Sequence, residues 1–148
     1  MAVSDAMPSV DWPPMEYHKG RLIDHVHLRV RDIEPSRRFY RAVTESLGIP
    51  FVSESQSHFA VDELFVSDDG EPTAGVHLAF QAEDEAAVER FYEAGLAAGG
   101  TENGRPGERD YHPGYFAAYL FDPDGNNVEA VYHGPAERSA PSVIFTVG

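Results

Sequence analysis

The feature that most constrains this 148-residue chain is an internal repeat. HVHLRVRDIEPSRRFY (25–40) lies over HLAFQAEDEAAVERFY (77–92) without a gap. A constant offset of 52 puts His25 on His77, Asp32 on Asp84, Arg38-Phe39-Tyr40 on Arg90-Phe91-Tyr92 and Gly48 on Gly100. In each copy an apolar strand-like run meets an Asp, whose carboxylate can accept the free N–H groups of a helix start. In the first copy Pro35 stands in the opening turn, where a missing N–H costs nothing. Apolar residues then recur at helical spacing, Phe39, Tyr40, Val43 and Leu47 in one copy and Val88, Phe91, Tyr92 and Leu96 in the other. Both runs end near glycine.

Strand signals follow each helix. IPFVSES (49–55), HFAVD (58–62) and ELFVS (63–67) follow the first; a weak segment near 108–112, YFAAYLF (115–121) and NNVEAVYH (126–133) follow the second. Each half therefore reads strand, helix, three strands. The expectation is an α+β fold of two βαβββ modules, at 21–74 and 75–134, making a curved mixed sheet with helices on its outer face. The Gly- and Pro-rich stretch 99–114 reads as a long loop able to cover a site. Residues 1–20 read as an extended N-terminal tail from which Trp12 and Met15 can dock on the body. The closing stretch 135–148 reads as a second tail, its SVIFTVG run being either an edge strand or an unattached end.

Composition narrows the chemistry. Asp and Glu total 25 against 11 Lys and Arg, a net charge of −14, so a phosphate backbone or an anionic membrane surface is repelled. Nucleic-acid and membrane partners are therefore not expected. With no cysteine there is no thiolate zinc site and no thiol nucleophile. No run has the length of a membrane helix, and no secretory pattern opens the chain, so the cytoplasm is the expected location.

Residues two apart on a strand share a face. His25, His27 and Arg29 thus point one way while Val26, Leu28 and Val30 point the other. In the second half His77, Ala79 and Gln81 take the corresponding side, and Asn127, Glu129, Val131 and His133 alternate with Val128, Ala130 and Tyr132. Glu129 is a carboxylate in an otherwise apolar strand, where a buried charge is costly unless paired or bound to a metal. His25, His77 and Glu129 together form a ligand set for a divalent first-row ion, with positions left open for water and substrate.

The opening IDHVHLRVRDIEPSRRFY, the second HLAFQAEDEAAVERFY and the closing LFDPDGNNVEAV resemble the vicinal oxygen chelate superfamily, which includes glyoxalase I, bleomycin-resistance proteins and extradiol dioxygenases. The resemblance covers about residues 21–133. It implies paired βαβββ modules cupped around a divalent ion, commonly in a homodimer, with His25, His77 and Glu129 as ligands and a small-molecule substrate with adjacent oxygens. A glyoxalase-I-like isomerisation is the first reading. It implies Glu63 as a fourth ligand, Arg29 and its neighbour His27 on the substrate, Glu129 moving the proton, and zinc or nickel as the ion. An extradiol-type dioxygenase with Fe(II) is the alternative, carried by His112, Tyr119, Asp122-Pro123-Asp124-Gly125 and Glu129, with Tyr119 on a substrate oxygen and His112 assisting proton transfer; manganese is a further candidate ion. A binding protein without catalysis, of the bleomycin-resistance kind, is the third reading.

Overall fold

A computed structural model describes residues 16–147. Its elements run β1 (Glu16–Lys19), β2 (Val26–Arg29), α1 (Ile33–Ser46), β3 (Ser53–Glu54), β4 (His58–Val61), β5 (Leu64–Ser67), β6 (His77–Gln81), α2 (Glu85–Ala97), β7 (Thr101–Glu108), β8 (Phe116–Phe121), β9 (Asn127–Tyr132) and β10 (Val143–Thr146). The two modules form separate four-stranded sheets, ordered β2-β5-β4-β3 and β6-β9-β8-β7. In each, the opening strand pairs in parallel with the module's last strand and the remaining pairs are antiparallel. This is the α+β arrangement of two βαβββ modules that the repeat predicts.

The helices begin where the repeat places them. Asp84 caps α2 by accepting from the Ala87 N–H at 2.8 Å, whereas Asp32 precedes α1 without a side-chain cap bond. Phe39, Tyr40 and Val43 of α1 and Val88 and Phe91 of α2 are fully buried in one apolar cluster with Leu28, Phe59 and Val66 of the first sheet and Leu120 and Val128 of the second. The helices touch because α2 carries Gly95 at the crossing. A β-carbon there would lie 2.2 Å from Leu120 Cδ1 and 3.0 Å from Val43 Cγ1. Close approach rotates α2 so that Gly95 is buried and Leu96, expected in the core, is 38% exposed.

The modules are also fastened by a polar clasp. The buried carboxylate of Asp122 accepts from the Asp124 and Asn126 N–H groups at 2.9 and 2.8 Å, closing the Asp122–Gly125 turn. Its other oxygen accepts from Tyr40 of the first module at 2.6 Å. Burial, and secondarily the Asp122 charge, push the Tyr40 hydroxyl well above its ordinary range, so it stays a donor. Asn126 Oδ1 accepts from the Val76 N–H, and Asp124 from that of Arg31.

Three local expectations change. Most of 99–114 is not a loop. Residues 101–108 form β7, whose register on β8 shifts between Glu102 and Gly104 and again between Gly104 and Gly107. As an edge strand it tolerates Pro106, and the shifts obscure the alternation by which strands are recognised. IPFVSES contributes only Ser53–Glu54 to a sheet. The chain's two tail segments meet, β1 pairing antiparallel with β10, and Tyr17 is buried against the Phe145 ring at 5.3 Å. Trp12 and Met15 lie outside the described residues. Among the described residues no helix is long and apolar enough to cross a membrane.

Candidate metal centre

The second module builds the richer half of the site. In the parallel register of β6 on β9, His77 stands opposite Asn127 and Ala79 opposite Glu129; across β8, Glu129 faces Tyr119. His77 and Glu129 are thus diagonal neighbours on one face, with His77 Nε2 at 2.7 Å from Glu129 Oε1. The burial is unequal. The His77 side chain is 56% exposed and that of Glu129 only 1%. A carboxylate this dry needs compensation, and its second oxygen accepts from the Tyr115 hydroxyl. Two donors each about 2.0–2.2 Å from one ion stand roughly 3 Å apart. The Nε2···Oε1 spacing is close to that, so imidazole and carboxylate fit as adjacent ligands of a divalent ion.

An aromatic and histidine wall surrounds this pair. Burial first, then the negative charge of Glu129, push the Tyr119 hydroxyl upward, and burial together with the Glu129 hydrogen bond does the same to Tyr115. Both phenols remain protonated donors at neutral pH. The Arg109 guanidinium lies 5.2 Å from the Tyr119 ring centre, held by the Arg105 and Gly107 carbonyls. His112 Nε2 and His133 Nδ1 are 2.8 Å apart, with their rings stacked at 5.1 Å. Since the Pro113 carbonyl can only accept, His112 donates to it from Nδ1, leaving Nε2 to accept from His133 when both rings are neutral. Tyr115 meets both imidazoles edge-on.

The first module offers a different face. His25 is exposed, with Nδ1 at 2.8 Å from its neighbour Asp24. His27 lies against the Ser67 hydroxyl at 2.7 Å and edge-on to Phe65, and burial with the Arg29 charge pulls its pKa down. The backbone of Arg29 is tied to Thr73 in both directions, and its side chain runs past Gly70. Glu63 precedes β5, and its carboxylate lies over Gly20, where a β-carbon would come within 2.5 Å. The residue paired with His27 is Phe65, at the place Glu129 takes beside Ala79.

Within one chain, therefore, His77, Glu129, Tyr119, Tyr115, His112 and His133 stand together in the second module, while His25, His27, Arg29 and Glu63 belong to the first. Among the described residues no three His, Asp or Glu side chains converge as an ion site. Sequence reading passed over Tyr115, His133 and Arg109 as members of the site. For Tyr115 the signal was present, because it shares strand parity with Tyr119 and so the same face.

The chain matches the family model of the Glyoxalase/Bleomycin resistance protein/Dioxygenase superfamily over residues 22–130. It belongs to this superfamily. Among solved structures it is similar to a glyoxalase/bleomycin resistance protein from Albidiferax ferrireducens T118, at 33% identity over 74% of this chain and 97% of that one, with a TM-score of 0.64. A lactoylglutathione lyase from Agrobacterium tumefaciens (21% identity, 75% and 92% covered, TM-score 0.56) and the oxidase ChaP-H2 (24%, 74% and 91%, TM-score 0.53) share its fold. No curated protein matches the chain. Members of the superfamily commonly use divalent metals, bind small molecules and often form dimers.

Proposed function

We propose that this protein is a divalent-metal-dependent enzyme acting on a small substrate with vicinal oxygens, through a set of His77, Glu129 and the His25 of a second copy. The observation that carries the proposal is the carboxylate of Glu129, buried on a polar sheet face and partnered by an exposed imidazole. Pairing of modules across two copies is supported by exposure on both sides. Leu22, Ile23 and Val26 around His25 are 89%, 47% and 38% exposed, and His77, Ala79 and Gln81 of β6 are open. A homodimer would cover both.

Of the superfamily's chemistries, ring-opening dioxygenation with iron on two His and one Glu is favoured over isomerisation. The place that mirrors Glu129 in the first module is filled by Phe65, which leaves three ligands rather than four. The ion, when bound, polarises the substrate oxygens and stabilises the charge left when one of them loses its proton. The chain's own residues do the rest. His77 and Glu129 hold the ion, the Tyr119 hydroxyl donates to a substrate oxygen, and the His112–His133 pair takes up the proton as one unit. The second reading, the glyoxalase-like isomerisation, keeps one observation in its favour. Glu63 stands opposite His25 by continuation of the β2–β5 register, and it would reach the His25 side if its side chain turned from Gly20.

The test is reconstitution with Fe(II), Mn(II), Zn(II) or Ni(II) in turn, measuring ion per chain, catechol cleavage and hemithioacetal isomerisation. We expect one ion per site, lost in His77→Ala, Glu129→Gln and His25→Ala alike, and catechol cleavage by the iron form. An ion retained undiminished by His25→Ala would overturn the set shared between copies. Isomerisation by the zinc or nickel form, lost in Glu63→Gln, would establish the four-ligand reading instead.

A further inference from the structure

We propose that Tyr115 is a positioning residue that holds one oxygen of Glu129, leaving the other as the only oxygen offered to an ion. The inference rests on the reading that His77 and Glu129 hold a divalent ion.

Glu129 has two carboxylate oxygens and almost no contact with water. Oε1 meets His77 Nε2 at 2.7 Å, and Oε2 accepts from the Tyr115 hydroxyl. These two bonds respond differently to a cation. An ion binds the lone pair of Nε2, so His77 can no longer donate to Oε1. The bond from Tyr115 needs no such change. It remains as the contact that fixes the rotation of the carboxylate, and it occupies the oxygen that would otherwise swing round to chelate the ion in a two-oxygen mode.

Tyr115 is itself held by its neighbours. Its ring is met edge-on by Tyr111 at 4.9 Å, His133 at 5.1 Å and His112 at 5.4 Å. Its backbone N–H donates to the His112 carbonyl at 3.2 Å, and its carbonyl accepts from the Arg109 N–H at 2.9 Å. The hairpin linking β7 to β8 thus sets where the hydroxyl stands before any ion arrives. Tyr119 faces Glu129 from β8, yet the carboxylate takes its hydrogen bond from Tyr115.

The test is Tyr115→Phe in the full chain, which removes one oxygen and keeps the ring contacts, with Co(II) and Zn(II) as probes. Affinity should fall on the order of 10- to 100-fold, the usual effect of losing a hydrogen bond to a ligating side chain. The visible spectrum of the Co(II) form should change as the carboxylate becomes free to chelate, and the thermal midpoint of the metal-free protein should fall, because Oε2 of buried Glu129 loses its donor. A role in ring packing alone, which Tyr115→Phe preserves, would leave both the affinity and the spectrum at the parent's values. If the parent binds the ion and Tyr115→Phe binds it equally with the same spectrum, the positioning role is wrong and the metal reading stands. If the parent binds no divalent ion, the metal reading fails and takes this role with it. Should Tyr115→Phe not fold, the parent labelled at tyrosine answers by NMR: the Tyr115 hydroxyl proton should stay protected when Zn(II) is added, and its loss on addition would overturn the proposal.

Discussion

The two modules share one backbone plan and have divided its duties. At the third position of the pairing face, the first module sets His27 against Phe65 and the second sets Ala79 against Glu129. The polar residue of the pair thus sits on the opening strand in one module, half-buried, and on the closing strand in the other, fully buried. The helix tyrosines diverge likewise. Tyr40 is wholly buried and bonded to Asp122 of the other module, whereas its repeat partner Tyr92 reaches out to Glu102 of its own module at 3.0 Å. The first module contributes the tyrosine of the clasp, and the second contributes the clasp's carboxylate together with the Glu129 half of the candidate site. A repeat therefore specifies geometry twice without specifying chemistry twice.

The harshest way to break this comparison is to force the symmetry back. Phe65→Glu puts a carboxylate at the position equivalent to Glu129. Phe65 is 2% exposed, packed between the rings of His27 and His58, and among the described residues no phenol is hydrogen-bonded there as Tyr115 is to Glu129. We expect a loss of about 4 kcal/mol, the upper range for point substitutions, read as a shifted denaturant midpoint. A variant as stable as the parent would show that the first sheet tolerates a carboxylate and that the asymmetry has no energetic basis.

The clasp gives the next largest effect. Tyr40→Phe leaves one oxygen of buried Asp122 with only the Asn126 amide at 3.2 Å, a cost of about 1–3 kcal/mol for an under-satisfied buried acceptor. Tyr92→Phe should leave the midpoint where it is. Equal effects from the two substitutions would mean that the clasp does not couple the modules.

Much of this was legible in the residues. The repeat gave both helices, both opening strands and the parity that puts His77 and Glu129 on one face. What escaped it depends on interactions between elements. β7 was hidden because Gly104 and Gly107 stand where its register slips, and alternation fails wherever a strand bulges. Gly95 was hidden because helical periodicity counts apolar side chains, and a glycine chosen for close approach contributes none. The relation of Glu63 to His25 was out of reach for a different reason. It is set by the tight β4–β5 connection, where Asp62 takes the left-handed conformation with φ 46°, and one residue more or fewer there would exchange the faces of Glu63 and Leu64. Separation of His25 from His77 within one chain is a matter of how modules pack, which no strand pattern encodes.

The smallest effect expected concerns pH and again separates the modules. His58 on β4 is 4% exposed, and burial, followed by the nearby Arg37 charge, holds its pKa below the ordinary imidazole value. Hydroxyls of Ser55 and Ser53 lie at 2.5 and 3.3 Å from its two ring nitrogens, and the charge of Glu54 opposes the shift without reversing it. His27 in the same sheet is lowered in the same direction. A lowered pKa in the folded state means that the unfolded chain binds the proton first, so stability rises with pH there. The contribution is present above about pH 6.5, the unfolded imidazole value, and is lost as the pH falls from there toward the depressed folded value. Denaturant midpoints of the metal-free protein measured between pH 7.5 and pH 5 should therefore decline on the acid side, and His58→Gln should flatten part of that decline. An unchanged slope in His58→Gln would remove His58 from the account and leave the acid sensitivity to His27 or to carboxylates such as Glu54, whose pKa is lowered by its bond to Arg41 and whose own loss of stability begins only nearer the carboxylate range.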